Sequence, residues 1–418
     1  MPGQAHHLRR RVESLGLRIR ALGKLRKLVN LPPKQDITAR QWSVLETALS
    51  VAVDRLLSRL KRGTDAHFPS LQNPSTTIQL NSLLGGLEFD LSKAFTFFDT
   101  YADVLTQRAT SPLGALLAGC DVLAWDALKK DHPALDNVEP PLVYCDRGFG
   151  ASILREEVRL PDGTPNPMPL IQIPYSRLKE KYNLTSIHHE AGHQALKRTG
   201  LQAAIPKAFR TALARAGASD TLQRLFSLWS SEIGPDFWAF CCTGIAQPAA
   251  TREILALPLA HVMRVSGSDP HPPPYVRVLL CLEWARHVWG RGEWDNWERE
   301  WEECYPLDLA PTRTQQVLRE ARTYLPIVSS TLLNTKFRVL EGRTIPDLFD
   351  MTALAPWRLQ AVAATAKSGC LKLTGLSPSV QLAVFRIIRD NGQVSEWQIN
   401  RIMSIWLREL GKKRFPAN

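Results

Sequence analysis

The stretch His189-Glu190-Ala191-Gly192-His193 says more about the fold and chemistry of this chain than any other. Residues four apart on a helix share one face, so the imidazoles of His189 and His193 can both reach one zinc ion at about 2.0–2.1 Å. Glu190 lies beside the first histidine and can take a proton from a water molecule at the zinc. With ten histidines in 418 residues, such a string arises by accident in on the order of one per cent of chains. The pattern therefore predicts a zinc-hydrolase site.

The neighbouring residues predict that this stretch is helical. Apolar side chains recur at helical spacing at Ile187, Ala191, Ala195 and Leu196. Residues 183–186 provide capping side chains just upstream, and Gly192 is the one poor helix former. We therefore expect a helix that carries both histidines on one face.

Two strand-like runs precede this helix. They span residues 141–158 and 168–173, and a turn sequence at 161–165 separates them. The first run contains residues 148–154, whose small side chains suit an edge strand that pairs with an extended peptide. An ordinary glycine-containing hairpin is the alternative for these residues. The predicted order is a small sheet followed by the histidine-bearing helix.

A third metal ligand should follow His193, because a catalytic zinc binds three protein side chains and leaves its fourth position for water. The best candidate is Glu232, with Asp236 four residues later on the same helical face. An acid at that spacing can accept the free N–H of a ligand histidine and fix its orientation. The alternative for Glu232 is an acid near a helix start, where the helix dipole favours negative charge.

Together the two patterns resemble the gluzincin metallopeptidases, in which H-E-x-x-H is followed, after a variable helical insert, by E-x-x-x-D. The resemblance implies a zincin-like domain that hydrolyses peptide bonds. It also implies that His189, His193 and Glu232 hold zinc. Glu190 is then the general base and later the general acid, and Asp236 orients a ligand histidine.

Pro235 falls inside the second pattern. A proline in the interior of a helix destabilises it by about 3 kcal/mol, because a hydrogen bond is lost and the ring clashes with the preceding turn. The conflict eases if a helix begins here, with Ser230 or Ser231 as its N-cap. We therefore expect a new helix to begin near Ser230, and residues 221–229 to form a separate helix.

Residues 268–277 resemble a histidine- and proline-rich segment of the membrane-associated, HtpX-like branch of the gluzincins. In that branch a histidine and an arginine six residues later face the zinc. His271 and Arg277 have this spacing, so the resemblance assigns them to stabilising the oxyanion of the tetrahedral intermediate. Tyr275 could serve instead, and a rigid polyproline-like loop with an exposed histidine is the alternative. The resemblance covers about residues 187–280, and only its first motif is specific.

The composition, with 44% hydrophobic and 22% charged residues, is typical of an ordinary soluble protein. Basic residues interrupt the N-terminal segment too often for a signal peptide, and the apolar stretches elsewhere are too short to cross a bilayer. Seven cysteines without a C-x-x-C pair favour a reducing compartment. We therefore expect a cytoplasmic protein without a transmembrane segment, unlike the HtpX-like branch.

The net charge of +12 is concentrated at the N-terminus. Within residues 1–30 only Glu13 opposes the basic side chains of Arg9, Arg10, Arg11, Arg18, Arg20, Lys24, Arg26 and Lys27. A basic amphipathic helix is predicted by the recurrence of Leu8, Val12, Leu15, Leu22, Leu25 and Val29. Such a helix can bind an acidic partner, RNA or anionic lipid, or it can pack its leucines on a helix at residues 38–60. We do not expect a nucleic acid partner.

The sequence predicts a mainly helical α+β fold in three regions. These are an N-terminal helical region at 1–132, a zincin-like metallopeptidase domain at 133–308 and a C-terminal helical domain at 309–418. The predicted function is zinc-dependent hydrolysis of a protein or peptide substrate. The alternative is a zinc-stabilised binding or scaffold protein without turnover, which acts through its basic helical ends on nucleic acid or a protein partner. His188 could supply the fourth ligand of such a site. However, His188 points about 100° around the helix from His189, and a purely structural site has no need of Glu190.

Overall fold

The computed structural model describes residues 2–33, 35–148, 150–156, 158–159, 165–365 and 373–413. In these residues the chain is mainly helical with one three-stranded sheet, which confirms the predicted α+β class. They form two compact units. The first contains the described residues up to Ala118, those within 154–170 and those after Leu410, and the second contains 119–153 and 171–410.

The first unit consists mainly of four helices, α1 (Pro2–Ala21), α2 (Leu25–Val29), α3 (Ala39–His67) and α4 (Pro74–Ala109). The predicted apolar stripe is buried apart from the half-buried Val12, with Leu15 of α1 and Leu22 of the turn before α2 fully excluded from solvent. This stripe packs on α3, which begins after the N-cap residue Thr38. Burial of the leucines between helices therefore accounts for the amphipathic pattern.

The basic face of α1 and α2 stays exposed to solvent. Arg18 donates two hydrogen bonds to Glu88 on α4, at 2.9 and 2.6 Å, and Arg26 lies 3.7 Å from Glu46 on α3. These exposed ion pairs contribute little to stability. The predicted packing of the leucines is confirmed, and an acidic partner for the arginines stays a prediction.

Among the described residues, no single helix is long and apolar enough to cross a membrane. Helix α4 and the next helix, α5 (Leu113–Leu128), are long and apolar enough only when they are taken together. The chain bends by 112° between them. A cytoplasmic location stays a prediction.

The second unit holds most of a sheet of β1 (Leu142–Asp146), β2 (Ser152–Leu154) and β3 (Leu170–Pro174), in the order β1-β3-β2. The expectation of one continuous run at 141–158 was wrong, because the chain forms two strands there. Gly148 lies between them with a φ of 137°, a backbone conformation that glycine adopts without strain. Strand β2 lies at an edge of the sheet, and its pairing with a peptide stays a prediction. Phe149 and the turn residues 161–164 lie outside the described residues.

Helices make up most of the second unit. In chain order they are α6 (Thr185–Arg198), α7 (Leu201–Arg215), α8 (Asp220–Thr243), α9 (Ala246–Ile254), α10 (Leu259–Val262), α11 (Pro274–Trp289), α12 (Glu293–Cys304), α13 (Thr312–Asn334), α14 (Pro356–Ala364), α15 (Pro378–Asp390) and α16 (Glu396–Lys412). Helix α8 packs on α6, α7, α9 and α15, so elements distant in sequence share one core. The compact units therefore do not follow the predicted boundaries at 132 and 308, because the C-terminal helices pack beside α8 and α11.

Candidate metal site

Helix α6 carries the two histidines as predicted. It begins at Thr185, and its apolar stripe is buried, with Ile187, Ala191 and Ala195 fully excluded from solvent. Contrary to the expected capping, Leu184 is the N-cap residue and no side chain caps the helix. The preceding turn at Lys181–Asn183 leads directly into the helix instead.

Helix α8 brings Glu232 to the two histidines. The Oε2 atom of Glu232 lies 3.3 Å from Nε2 of His189, and its Oε1 atom lies 3.7 Å from Nε2 of His193. One candidate ligand atom from each residue lies within 4.8 Å of the other two. His189 and Glu232 are buried, and His193 is half-buried. The three side chains therefore form a group that could hold a metal ion.

The donor set fits a metal with a preference for nitrogen and oxygen ligands. Ligand bonds of about 2.0–2.1 Å in a tetrahedral site place neighbouring ligand atoms about 3.3–3.5 Å apart. The distance from Nε2 of His189 to Oε2 of Glu232, 3.3 Å, lies in this range, and the distance from Nε2 of His193 to the other oxygen, Oε1, is slightly longer at 3.7 Å. The imidazole rings of His189 and His193 lie at 85° to each other with centroids 4.9 Å apart. Both Nε2 atoms face the same carboxylate, as a shared ion requires.

Helix α8 is continuous from Asp220 to Thr243, with Pro235 inside it. The expectation of a new helix near Ser230 and a separate one at 221–229 was therefore wrong. Close packing compensates for the missing hydrogen bond, because Pro235 is buried against Gly192 of α6 and Gly234 faces Leu196. The continuous helix keeps Asp236 on the same face as Glu232, which the metal group requires.

The Gly192 position explains the one poor helix former in α6. A Cβ atom there would lie 3.0 Å from Cα of Pro235 and 3.2 Å from both its carbonyl oxygen and Cβ of Trp238. Two of these contacts are with backbone atoms that a rotamer change cannot move. Glycine thus lets the two ligand-bearing helices approach closely.

We expect Gly192→Ala to destabilise the chain by about 1–3 kcal/mol, because the added methyl group must push α6 away from α8. The same displacement should weaken metal binding. Chemical denaturation and metal titration measure the two effects. Gly85→Ala is the matched control, because Gly85 also lies inside a helix but has no atom within 4 Å of an added Cβ. Equal behaviour of the two variants would contradict the packing argument.

Asp236 contacts the histidine that it is predicted to orient. Its Oδ1 atom lies 2.8 Å from Nδ1 of His189. Arg277, on α11, donates to both carboxylate oxygens, through Nε to Oδ2 and through a terminal nitrogen to Oδ1 at 2.8 Å. Gln247, on α9, also donates to Oδ1, at 3.3 Å. Gln247 was not predicted from the sequence, because no motif or spacing connects it to Asp236.

Burial and the neighbouring charges shift the pKa values of the acidic side chains at the site. Burial alone would raise the pKa of Glu232, but its hydrogen bond to His189 and the neighbouring positive charges lower it to about 2. Burial likewise opposes ionisation of Asp236, yet Arg277 and His189 hold its pKa well below the usual range. For Glu190, burial is the largest effect and raises its pKa to about 7. This carboxylate is therefore poised to exchange a proton near neutral pH.

His189 binds a proton tightly when no metal is present. Burial alone would lower its pKa, but the carboxylates of Asp236 and Glu232 raise it to about 10. The imidazole then carries protons on both ring nitrogens, with Nδ1 facing Asp236 and Nε2 facing Glu232. Without a metal ion, this proton therefore places a positive charge between the carboxylates of Asp236 and Glu232.

We expect zinc binding to release at least one proton per chain at pH 7, because a metal binds only the deprotonated Nε2 of His189. Since the pKa of His189 is raised to about 10, the apparent zinc affinity should increase with pH from 7 to 9, by about tenfold per unit. Isothermal titration calorimetry in two buffers of different ionisation enthalpy counts the protons. Identical heats in both buffers would contradict this expectation.

The histidine- and proline-rich segment lies beside the metal group. Nε2 of His271 is 3.6 Å from Oε2 of Glu232, and its Nδ1 is 2.9 Å from the carboxylate of Asp269. The His271 side chain is 59% exposed, so it faces solvent as well as the site. Arg277 is bound to Asp236, and Tyr275 donates to Glu302 at 3.2 Å. The predicted oxyanion roles of His271 and Arg277 stay predictions.

His188 takes part in a different group of contacts. Its Nε2 lies 2.8 Å from the hydroxyl of Ser379 on α15, and that hydroxyl donates to Asp126 on α5. Burial is the main cause that lowers the pKa of His188 to about 4. As its helical position predicts, His188 is not a member of the candidate metal group. It joins the back of α6 to helices that lie before and after it in sequence.

Comparisons of the chain with protein-family models, curated proteins and solved structures found no match. The interpretation of the site therefore depends on the residues and geometry described above.

Proposed function

We propose that this protein is a zinc-dependent peptidase of the gluzincin type, which hydrolyses peptide bonds in a protein or peptide substrate. The observation that carries the proposal is the convergence of His189, His193 and Glu232 next to the intact, buried carboxylate of Glu190. A purely structural zinc site usually has four protein ligands and needs no general base. Here three candidate ligands leave a position for water.

Zinc is the proposed metal because two imidazoles and one carboxylate are a common catalytic zinc ligand set. A zinc ion held by these side chains would polarise a substrate carbonyl and make a water molecule more acidic. The contact of Asp236 with His189 Nδ1, at 2.8 Å, holds the ring with Nε2 toward Glu232, where it could bind the ion.

Glu190 is proposed to transfer the proton. It takes one proton from the attacking water as the oxygen bonds to the carbonyl carbon, and it delivers that proton to the amine nitrogen as the C–N bond breaks. In the metal-free protein the pKa of Glu190 is raised to about 7, mainly by burial, so this carboxyl holds a proton more strongly than a solvated glutamate does.

The oxyanion that forms on the carbonyl needs a donor or a positive charge. His271 is proposed for this role because its ring is exposed and its Nε2 lies 3.6 Å from the proposed ligand Glu232. The guanidinium of Arg277 donates to Asp236, the carboxylate that contacts His189 Nδ1. Its positive charge therefore lies next to the metal group. The flanking helical regions would recognise the substrate or restrain its access.

The test begins with zinc content and then measures cleavage of a quenched fluorescent peptide library. We expect one zinc per chain, lost in His189→Ala and His193→Ala, and cleavage that a chelator stops and added zinc restores. Glu303→Gln serves as a control, since Glu303 is an exposed acid outside the metal group. A chain that stays metal-free after refolding with zinc would overturn the proposal. Tight zinc binding without any cleavage would instead favour the zinc-stabilised binding protein.

A further inference from the structure

We propose that Gln247 and Thr251 position Asp236 and, through it, the metal ligand His189. These two residues, named here the α9 pair, lie four apart on one face of α9. The inference rests on the metal site of the proposed function and assigns two side chains that no sequence motif includes. They are positioning residues, because neither touches the metal ligands directly.

The α9 pair forms a chain of contacts that ends at the metal group. The amide nitrogen of Gln247 donates to Oδ1 of Asp236 at 3.3 Å and to the hydroxyl of Thr251 at 3.1 Å. The hydroxyl of Thr251 in turn interacts with the thiol of Cys281 on α11. Asp236 then contacts Nδ1 of His189 at 2.8 Å. Thr251 thus fixes Gln247, and Gln247 fixes the carboxylate that orients the histidine.

Burial makes this arrangement specific. Gln247 is 3% exposed and Thr251 is 6% exposed, so water does not compete freely for their polar atoms. The amide oxygen of Gln247 is buried without a hydrogen-bond partner among the described residues. Reversing the amide would place that oxygen against the negatively charged Asp236, which is unfavourable. The two hydrogen bonds that the amide nitrogen donates therefore offset the desolvation cost of the unpartnered amide oxygen.

Three helices supply donors to the same carboxylate oxygen. Oδ1 of Asp236 receives His189 from α6, Arg277 from α11 and Gln247 from α9. A carboxylate held from several helices cannot rotate without breaking a buried contact. Its lone pair therefore stays aligned with Nδ1 of His189, and Nε2 stays directed at the metal position.

The experiment measures zinc affinity by competition with a chromogenic chelator and the visible spectrum of the cobalt-substituted protein. Gln247→Leu and Thr251→Val remove the hydrogen bonds with little change in volume. We expect each to weaken zinc binding by about three- to tenfold, less than the 10–100-fold typical when a direct partner of a ligand is lost. The cobalt spectrum should also change, because the orientation of His189 changes the ligand field. The separate variant Thr251→Ser keeps the hydroxyl and should bind zinc with the wild-type affinity.

A double-mutant cycle separates positioning from general stability. In an Asp236→Ala background the Gln247→Leu change should have little further effect on zinc affinity, because the side chain through which Gln247 acts is gone. Gln381→Leu is the matched control, since this half-buried glutamine of α15 donates to the carbonyl of Leu376 and accepts from Trp406 of α16. It should leave zinc affinity unchanged.

An equal loss in both backgrounds, or an unchanged affinity in Gln247→Leu, would overturn the inference. If Gln247→Leu fails to fold, the comparison of Thr251→Val with Thr251→Ser decides instead. Equal zinc affinity of these two variants then overturns it. The measurement uses no substrate, so it separates the two proposals. A chain that binds zinc and cleaves nothing overturns the peptidase proposal alone, whereas loss of coupling in an active peptidase overturns only the role of the α9 pair.

Discussion

Replacing Glu190 with glutamine should abolish peptide hydrolysis and leave the zinc and the fold in place. The amide keeps the size and polarity of the buried side chain but cannot accept a proton. The loss of turnover should therefore be about 10²–10⁴-fold. Substrate binding should change little, because the carboxylate acts only as the proton moves.

The measurement compares kcat and kcat/KM of the variant with those of the zinc-loaded wild type. Zinc content and the thermal unfolding midpoint should match those of the wild type. This match would show that activity is lost in the proton-transfer step and not through unfolding or loss of zinc. Glu303→Gln, at an exposed position, controls for removal of one negative charge. If Glu190→Gln keeps its activity, another residue is the base and the assignment of Glu190 is wrong.

The second large effect is expected at Glu232. Alanine at this position removes one of three proposed ligands and leaves a site of two histidines, so zinc affinity should fall far below that of any other single variant outside the histidines. Asp236→Ala should lower zinc affinity by only about 10–100-fold, because it removes an orienting hydrogen bond and not a ligand. The expected loss in zinc affinity is therefore much larger for Glu232→Ala than for Asp236→Ala.

The stability of the two variants should follow the opposite order. Arg277 is largely buried, and its ion pair with Asp236 joins α11 to α8. Asp236→Ala would leave this charge without its partner, which costs about 3–5 kcal/mol in buried pairs. Glu232→Ala removes one of the two carboxylates that face His189, but Asp236 still pairs with this histidine, so the loss of stability should be smaller. Chelator competition and chemical denaturation on the same samples measure both orders. Zinc affinity lost equally in both variants would contradict the ligand assignment of Glu232.

Much of the candidate site could be predicted from local spacing. His189 and His193 share a face because four residues make about one helical turn, whatever the rest of the chain does. The pairing of Glu232 with Asp236 follows the same rule. The amphipathic pattern of α1 and α2 likewise fixed which leucines are buried. Each of these features depends on helix geometry alone.

Predictions of where a helix or strand begins and ends, which depended on local sequence patterns alone, were less successful. The break expected at Pro235 is absent, because packing of α8 on α6 around Gly192 and Gly234 outweighs the lost hydrogen bond. The strand run at 141–158 divides in two, with β3 inserted between its halves in the sheet. In both places distant residues contribute the deciding contacts, which a local pattern does not contain.

The sequence by itself determined the mainly helical class, the helix that presents both histidines, and the acids that could complete the metal group. Only the tertiary structure decided which distant side chains surround those acids. Gln247 and Arg277 reach Asp236 from two other helices, and Ser379 reaches His188 from near the other end of the chain. The reason is physical: a helical repeat constrains residues within a few turns, whereas contacts between helices depend on how their faces pack.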